Sequence, residues 1–444
     1  MNCLLLNLAR GDIFNIGLTY IASSLEAQGH AVTLCTLSSF DPPVLILALS
    51  RSRAQSILIS VTNETIDLCE QVINYLHKHN TALPVIVGGI QATADPQGCI
   101  AFNGVSAVCV GEGEQAVCDL LRAIEEKKDY TGIANFWVKK DGRIYQNPVR
   151  PALENLDLLP FPNYRIFEGF LKHYFALPLM LTRGCLFDCP YCCNNLYHSL
   201  YHQRRMRYHS VPYSISLIKK FREQFNNLGE IFFLDDLFTW DRKWLTEFLV
   251  EFKKLKVSFQ CNSRFDLMDE ELIKLLASSG CVQVNMAVEC GNERIRKEVL
   301  KRNITDSMIL EKAALVKKYK VRLFIHNMIG IPYETRRDIL KTVQLNRMIR
   351  PDSLQAMIFT PYKGTALRKL CDEKGWVDTS LKTISPFAYT VLKTPYIKPH
   401  LVDYYSLVFK DMVYERGWKL LLKKVIAWLL HFRHKQLYFR LQRQ

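Results

Sequence analysis

Three cysteines within eight residues are the first chemistry legible in this chain: Cys185, Cys189 and Cys192, in the run Thr182-Arg183-Gly184-Cys185-Leu186-Phe187-Asp188-Cys189-Pro190-Tyr191-Cys192. Thiolates this close on one loop can take three corners of an iron–sulfur cubane, which leaves the fourth iron without a protein ligand. An exchangeable iron of that kind can chelate a small molecule while the cluster delivers an electron to it. Short cysteine spacings also suit tetrahedral zinc, which needs a fourth ligand, and Cys193 and His198 are near enough in sequence to supply one. Counting ligands leaves both metals open. Cys193 adjoins Cys192 and so points elsewhere, which favours a buried thiol at that position.

The elements that must carry this loop follow from periodicity. Over residues 1–130 short apolar, β-rich runs at 2–8, 31–37, 56–62, 84–89 and 107–111 alternate with helical spacing at 16–28, 64–79 and 112–127. Such alternation predicts a parallel, doubly wound sheet with helices on both faces, whose ligands sit at the carboxyl ends of the strands. A hairpin is predicted from 136–140 and 143–147 around Asp141-Gly142. The two prolines of Leu159-Pro160-Phe161-Pro162-Asn163-Tyr164 mark a linker, placed at 151–170. From there strand-like runs at 177–182, 230–235, 257–261, 282–289, 321–329 and 353–359 each precede helix-prone sequence. Six β/α units predict a partial (β/α)6 barrel of the TIM type with its chemistry at the strand C-termini, and the cysteine loop leaves the first of these strands. The expected organisation is a Rossmann-like domain at 1–150, the linker, the partial barrel at 171–375 and a mainly helical C-terminal region at 376–444. No internal repeat or low-complexity tract interrupts it.

Composition bounds the partners. A chain of 444 residues exceeds one ordinary core, and its apolar and charged fractions, 49% and 23%, are those of a folded protein. Fifty-eight basic against 43 acidic residues leave a formal charge of +15, which attracts anions, nucleic acid or an acidic membrane surface. The excess gathers at the end: after Glu415 no acidic residue occurs, while Lys419, Lys423, Lys424, Arg433, Lys435, Arg440 and Arg443 alternate with Trp418, Trp428, Phe432 and Tyr438. That tail reads as a basic amphipathic helix, suited either to a membrane surface or to packing over the barrel mouth. The 14 cysteines are scattered and the start runs straight into a strand-like segment, so free thiols or metal ligands in a reducing cytoplasm are expected. No apolar run reaches the ~20 residues of a membrane span.

The cysteine run resembles the radical SAM superfamily, whose loop has the form Cys-x-x-x-Cys-x-aromatic-Cys at the end of a first strand, with Tyr191 in the aromatic position. The resemblance implies a [4Fe–4S] cluster on Cys185, Cys189 and Cys192. It also implies S-adenosylmethionine chelated to the open iron, with the aromatic backing its adenine. Later segments continue it. Ile231-Phe232-Phe233-Leu234-Asp235-Asp236 resembles the second-strand motif whose acidic residue meets the amino group of the cofactor. Cys261-Asn262-Ser263-Arg264-Phe265-Asp266 resembles the third-strand pattern, in which Arg264 would fork onto the cofactor carboxylate. Val284-Asn285-Met286-Ala287-Val288-Glu289-Cys290-Gly291 resembles the fourth-strand segment more loosely, with Glu289 as the ribose or carboxylate contact. Met328-Ile329-Gly330-Ile331-Pro332-Tyr333-Glu334-Thr335 resembles the fifth-strand motif at adenine; Gly330 and Pro332 keep its turn, and Tyr333 stands where glycine is usual. Phe359-Thr360-Pro361-Tyr362-Lys363-Gly364-Thr365 resembles the closing loop, with Lys363 in place of proline.

The first 130 residues resemble the cobalamin-binding domains that precede such barrels. Gly17-Leu18-Thr19-Tyr20-Ile21-Ala22 with Leu25 and Gly29-His30, Val87-Gly88-Gly89-Ile90-Gln91-Ala92-Thr93, and Gly111-Glu112-Gly113-Glu114 carry this likeness. Glycines at strand ends admit close approach of a ligand. The Asp-x-His-x-x-Gly signature of a lower histidine ligand is missing, and His30 reads as a turn residue before a strand.

Together these resemblances, over roughly 1–370, imply a cobalamin-dependent radical SAM methylase acting on an unactivated carbon of a small-molecule substrate. They also imply an electron donor such as flavodoxin or ferredoxin. Three alternatives stand beside it: a radical SAM cyclase or rearrangement enzyme without methyl transfer; tRNA methylthiolation, for which Cys3, Cys35 and Cys69 would have to hold a second cluster; and a basic zinc module binding nucleic acid. No recognisable RNA-binding barrel follows, and those three cysteines lie in or beside apolar elements where a core role is commoner. Nucleic acid is therefore not the expected partner.

Overall fold

The computed structural model describes residues 1–10, 14–79, 82–172, 174–225, 229–381, 385–387 and 389–433. The chain forms two compact units: Met1–Phe187 with Cys192–Leu228 and Tyr362–Thr365, and Asp188–Tyr191 with Gly229–Pro361 and Ala366–Gln444.

The first unit is built on β1 (Asn2–Leu8), β2 (Ala31–Leu37), β3 (Ser56–Ser60), β4 (Val85–Gly88) and β5 (Ala107–Cys109). They run parallel in the order β2-β1-β3-β4-β5. β1 and β3 are buried on both faces, which is why they read as continuous apolar runs. The hairpin follows as β6 (Phe136–Lys140) and β7 (Arg143–Gln146), and its turn residues Asp141 and Gly142 take φ of 50° and 74°. Periodicity missed the helix Pro42–Ser52, because it buries only Leu45 and leaves Val44, Ile46 and Leu47 exposed. Its start was nevertheless written in the Asp41 cap followed by proline. Residues 151–170, expected as a linker, pack inside this unit. Leu156, Tyr164 and Phe167 are fully buried, and the Tyr164 hydroxyl donates to the Pro178 carbonyl at 2.7 Å. Proline constrains the backbone of the residue before it but says nothing about burial.

After β8 (Leu177–Leu179) the chain forms β9 (Thr182–Arg183), which pairs antiparallel with β10 (Arg207–Tyr208). The expected strand 177–182 is thus split, because its end leaves to make a separate ladder. β11 (Glu230–Phe233), β12 (Ser258–Asn262), β13 (Cys281–Glu289), β14 (Arg322–Ile329) and β15 (Ser353–Ile358) follow. The second sheet has the order β15-β14-β13-β12-β11-β8, sequential as successive β/α units require. One face of β11–β14 carries Ile231, Phe233, Phe259, Val284, Met286, Leu323 and Ile325, all buried. Phe248 and Phe252 of the helix Arg242–Lys253 close on Phe233 at 5.6 and 5.8 Å between ring centres.

The C-terminal part is helical, as expected. Pro399–Tyr414 buries Val402, Tyr405, Val408, Phe409 and Met412, and Gly417–Arg433 follows. Lys435, Tyr438, Arg440 and Arg443 lie outside the described residues. Among the described residues no helix is long and apolar enough to cross a membrane.

Candidate cofactor site

The cysteine loop joins β9 to the helix Cys193–Tyr201, with Cys192 as its N-cap. Cys189 is buried, and Cys185 and Cys192 are half-buried. Cys185 and Cys192 belong to the first unit and Cys189 to the second. The Asn194 side-chain amide lies 3.7 Å from Cys192 Sγ, and Arg264 Nη1 lies 3.8 Å from Cys189 Sγ. Both are hydrogen-bond donors directed at sulfur, and Cys192 stands at a helix N-terminus. This donor set fits an anionic iron–sulfur cluster. His198 is engaged otherwise, its Nε2–H donating to the Cys185 carbonyl at 2.5 Å. Among the described residues no three His, Cys, Asp or Glu side chains converge as ligands of a single ion would. A cubane makes a different demand, since each thiolate takes its own iron.

In the second unit the expected acidic and basic residues follow strand ends. Glu289 closes β13 with φ of 64°, where the register to β14 shifts. Its carboxylate accepts the Tyr191 hydroxyl at 3.0 Å. Arg302, which periodicity and motif both missed, lies 3.9 Å from that carboxylate and donates to the Ala287 carbonyl at 3.0 Å. Burial pushes the Glu289 pKa up, while Arg302, Tyr191 and Arg264 act against the rise. Arg302 carried no signal in sequence because it sits in a loop, 13 positions after Glu289. Arg264 turns its fork onto Asp266, at 2.9 and 2.7 Å, with the remaining nitrogen towards Cys189. The adjacent pair after β11 divides: Asp235 is fully buried and Asp236 exposed. Gly330 has φ of 77°, and Tyr333, in the glycine position, takes φ of 68° itself. Its ring is held 5.3 Å from both Trp376 and Tyr396, so packing replaces the missing glycine.

The inner face of this sheet is polar where a closed barrel would hold branched apolar layers. Gln260 and Gln283 are joined at 2.9 Å, Gln283 and Asn285 at 2.9 Å, and Asn285 and Asn262 at 3.2 Å. His326 shares this face, paired in register with Ala287 and Gln355. Its Nδ1 is buried with no hydrogen-bond partner among the described residues, and burial lowers its pKa. Strand alternation alone could have placed these amides on one face, but not a hydrogen-bonded row.

In the first unit the glycines cluster at carboxyl ends. Gly88 ends β4 and Gly89 follows it, and a Cβ on Gly89 (φ 99°) would lie 2.8 Å from the Val61 carbonyl. Gly111 (φ 84°) follows β5, where a Cβ would lie 2.6 Å from Tyr201 Oη. Gly17 is in the first turn of the helix after β1, and Gly113 caps the helix Glu114–Glu125. Glu112 and Glu114 are ion-paired: Arg207 and Arg183 lie 2.5 and 3.2 Å from Glu112, and Arg183 lies 2.6 Å from Glu114. Despite burial, the Arg207 and Arg183 contacts hold the Glu112 carboxyl below the usual range. His30 lies before β2, at the amino end of the sheet, with Nδ1 2.9 Å from the terminal amine. Cys3, Cys35 and Cys69 are buried in this unit's core.

A cysteine loop beside a parallel sheet of β/α units, preceded in the chain by a seven-stranded sheet whose first five strands in sequence run parallel, defines the class: a two-part α/β protein with a candidate cluster loop. Comparison with known proteins narrows it. Residues 179–345 match the radical SAM superfamily and residues 3–121 the B12 binding domain, so the chain carries a radical SAM domain preceded by a B12-binding domain. It is 27% identical over 79% of its length to an uncharacterised methyltransferase of Pyrococcus horikoshii, covering 77% of that protein. It is 23% identical over 82% of its length to cytidylyl-2-hydroxyethylphosphonate methyltransferase of Streptomyces wedmorensis, covering 79% of that protein. The radical S-adenosylmethionine methyltransferase TsrM from Kitasatospora setae, solved with cobalamin and a [4Fe–4S] cluster bound, has the same fold. It matches with a TM-score of 0.69 and 16% identity over 90% of this chain and 82% of that one.

Proposed function

We propose that this protein is a cobalamin-dependent radical SAM methyltransferase that places a methyl group on an unactivated carbon of a small molecule, reduced by a donor such as flavodoxin or ferredoxin. The observation that carries the reading is the joining in one chain of a B12-binding domain and a radical SAM domain whose loop brings Cys185, Cys189 and Cys192 within eight residues. On this reading residues 1–150 hold cobalamin, with Gly17, Gly88, Gly89, Gly111 and Gly113 bordering it. Residues 171–375 hold the cluster through Cys185, Cys189 and Cys192. When bound, the cluster supplies the electron that cleaves S-adenosylmethionine reductively, and cobalamin supplies a methyl group.

The chain's own residues bind and orient. Tyr191 backs the adenine while its hydroxyl fixes Glu289 as an acceptor for a ribose hydroxyl or amino group. Arg302 keeps that buried carboxylate within reach of ionisation. Asp235 and Asp236 offer acceptors at the end of β11. Arg264, clamped by Asp266, serves the cofactor carboxylate and the Cys189 sulfur together. Gly330 and Pro332 present bare backbone. Glu112 and Glu114 fix Arg183 and Arg207 and so hold the strand-end loop in shape.

Anaerobic reconstitution tests this. The wild type should show both iron–sulfur and corrin absorbance and form 5′-deoxyadenosine. Cys189→Ala should keep the corrin but lose the cluster and fall to background cleavage. Retained cleavage would overturn the cluster assignment, and a product lacking hydrogens with no added methyl would replace methyl transfer by cyclisation.

A further inference from the structure

The helix Gly417–Arg433 is amphipathic, but it is turned the wrong way round for a helix that completes a core. At about 100° per residue, Trp418, Leu421, Leu422, Val425, Ile426 and Leu429 fall within an arc of about 140°. All six are exposed, by between 41% and 71%. The opposite side is the one that packs. Ala427 is fully buried there, and Lys423 Nζ lies 2.7 Å from Asp411 and 3.1 Å from Glu415. The protein thus takes the small and charged side of the helix and presents the large apolar side to water, against the ordinary partition of a surface helix.

Charge indicates what covers that face. Lys419 and Lys424 lie along its two margins, where long stems can lie on an apolar surface and lift their ammonium groups clear of it. No acidic residue follows Glu415 in the sequence, while seven lysines and arginines do so from Lys419 onward. The helix is too short and too charged to cross a bilayer, being about 25 Å long at ~1.5 Å per residue. We infer that this face is a docking surface for an anionic membrane, lying in the plane of the interface with its apolar side in the acyl boundary and its lysines among the headgroups. The inference is independent of the catalytic reading, since it needs neither cofactor nor turnover.

The test is sedimentation of the full chain with vesicles of phosphatidylcholine alone and of phosphatidylcholine with phosphatidylglycerol, with size-exclusion chromatography beside it. The wild type should be monomeric and pellet with the anionic vesicles, less so as salt rises from about 0.1 to 0.5 M. Leu422→Glu and Val425→Glu should each weaken binding at least about tenfold. Lys419→Glu with Lys424→Glu should weaken it severalfold with an unchanged circular dichroism spectrum, which separates docking from misfolding. A wild type that stays in solution with anionic vesicles overturns the inference. If it then elutes as a dimer that Leu422→Glu dissociates, a second copy covers the face; if it elutes as a monomer, the chain covers it itself. Equal binding by Leu422→Glu, Val425→Glu and wild type overturns it as well.

Discussion

Glu334 is fully buried beneath the turn after β14, where its Oε2 accepts the Gly330 and Ile331 amides at 2.6 and 3.3 Å and its Oε1 lies 3.5 Å from the Cys290 thiol. Burial pushes its pKa up from 4.5 to about 8, against the pull of the two amides. Between those values the folded chain keeps a proton that the unfolded chain has lost. Stability therefore falls as pH rises through the window, by at most about 1.4 kcal/mol per pH unit. Glu334→Gln has no proton to lose, so its urea midpoint should change less between about pH 5 and 8 than that of the wild type. A slope identical to wild type would move the linkage to another group. The glutamate was legible as part of a motif, but its protonation was not, because that depends on what is packed around it. Tyr333 teaches the same lesson: its residue type argued against a left-handed backbone, and two aromatic neighbours distant in sequence hold it there.

Gly291 shows the constraint between elements. It follows β13 and lies against the helix Arg336–Ile349, where a Cβ would stand 2.3 Å from the Thr342 amide nitrogen and 2.4 Å from the Lys341 carbonyl carbon. Its own amide donates to Thr342 Oγ1 at 2.7 Å. Both neighbours are backbone, so Gly291→Ala must push the helix away from the sheet. The cost should be on the order of 2 kcal/mol or more, read as a lower urea midpoint with an unchanged secondary-structure spectrum. A midpoint within error of wild type would mean that the helix can shift freely. The strands themselves were legible, since β13, β14 and β15 fall within a residue of their expected bounds. The helix Pro42–Ser52 was not, because a segment that buries one leucine shows little periodicity.

At the scale of the whole molecule the chain has two compact units, the first containing β1–β7 and the second β11–β15. Cores of this size unfold as separate cooperative blocks more often than as one. Scanning calorimetry should therefore give a calorimetric enthalpy larger than the van't Hoff enthalpy; equality of the two would show one cooperative system. The units do not follow sequence order. Residues 151–170, read as a linker from two prolines, belong to the first core, and the cysteine loop contributes to both units. The sequence by itself determined the alternation of strands and helices and the cysteine spacing, along with the glycines at strand ends, because these are set by neighbours along the chain. Only the tertiary structure decided that Arg302 stands beside Glu289, that Arg264 reaches Cys189 Sγ and that amides line the inner face of the sheet. It also decided that the last described helix turns its apolar side outward. Each of these depends on which distant residues share a surface, and periodicity fixes a residue's face but not what lies opposite it.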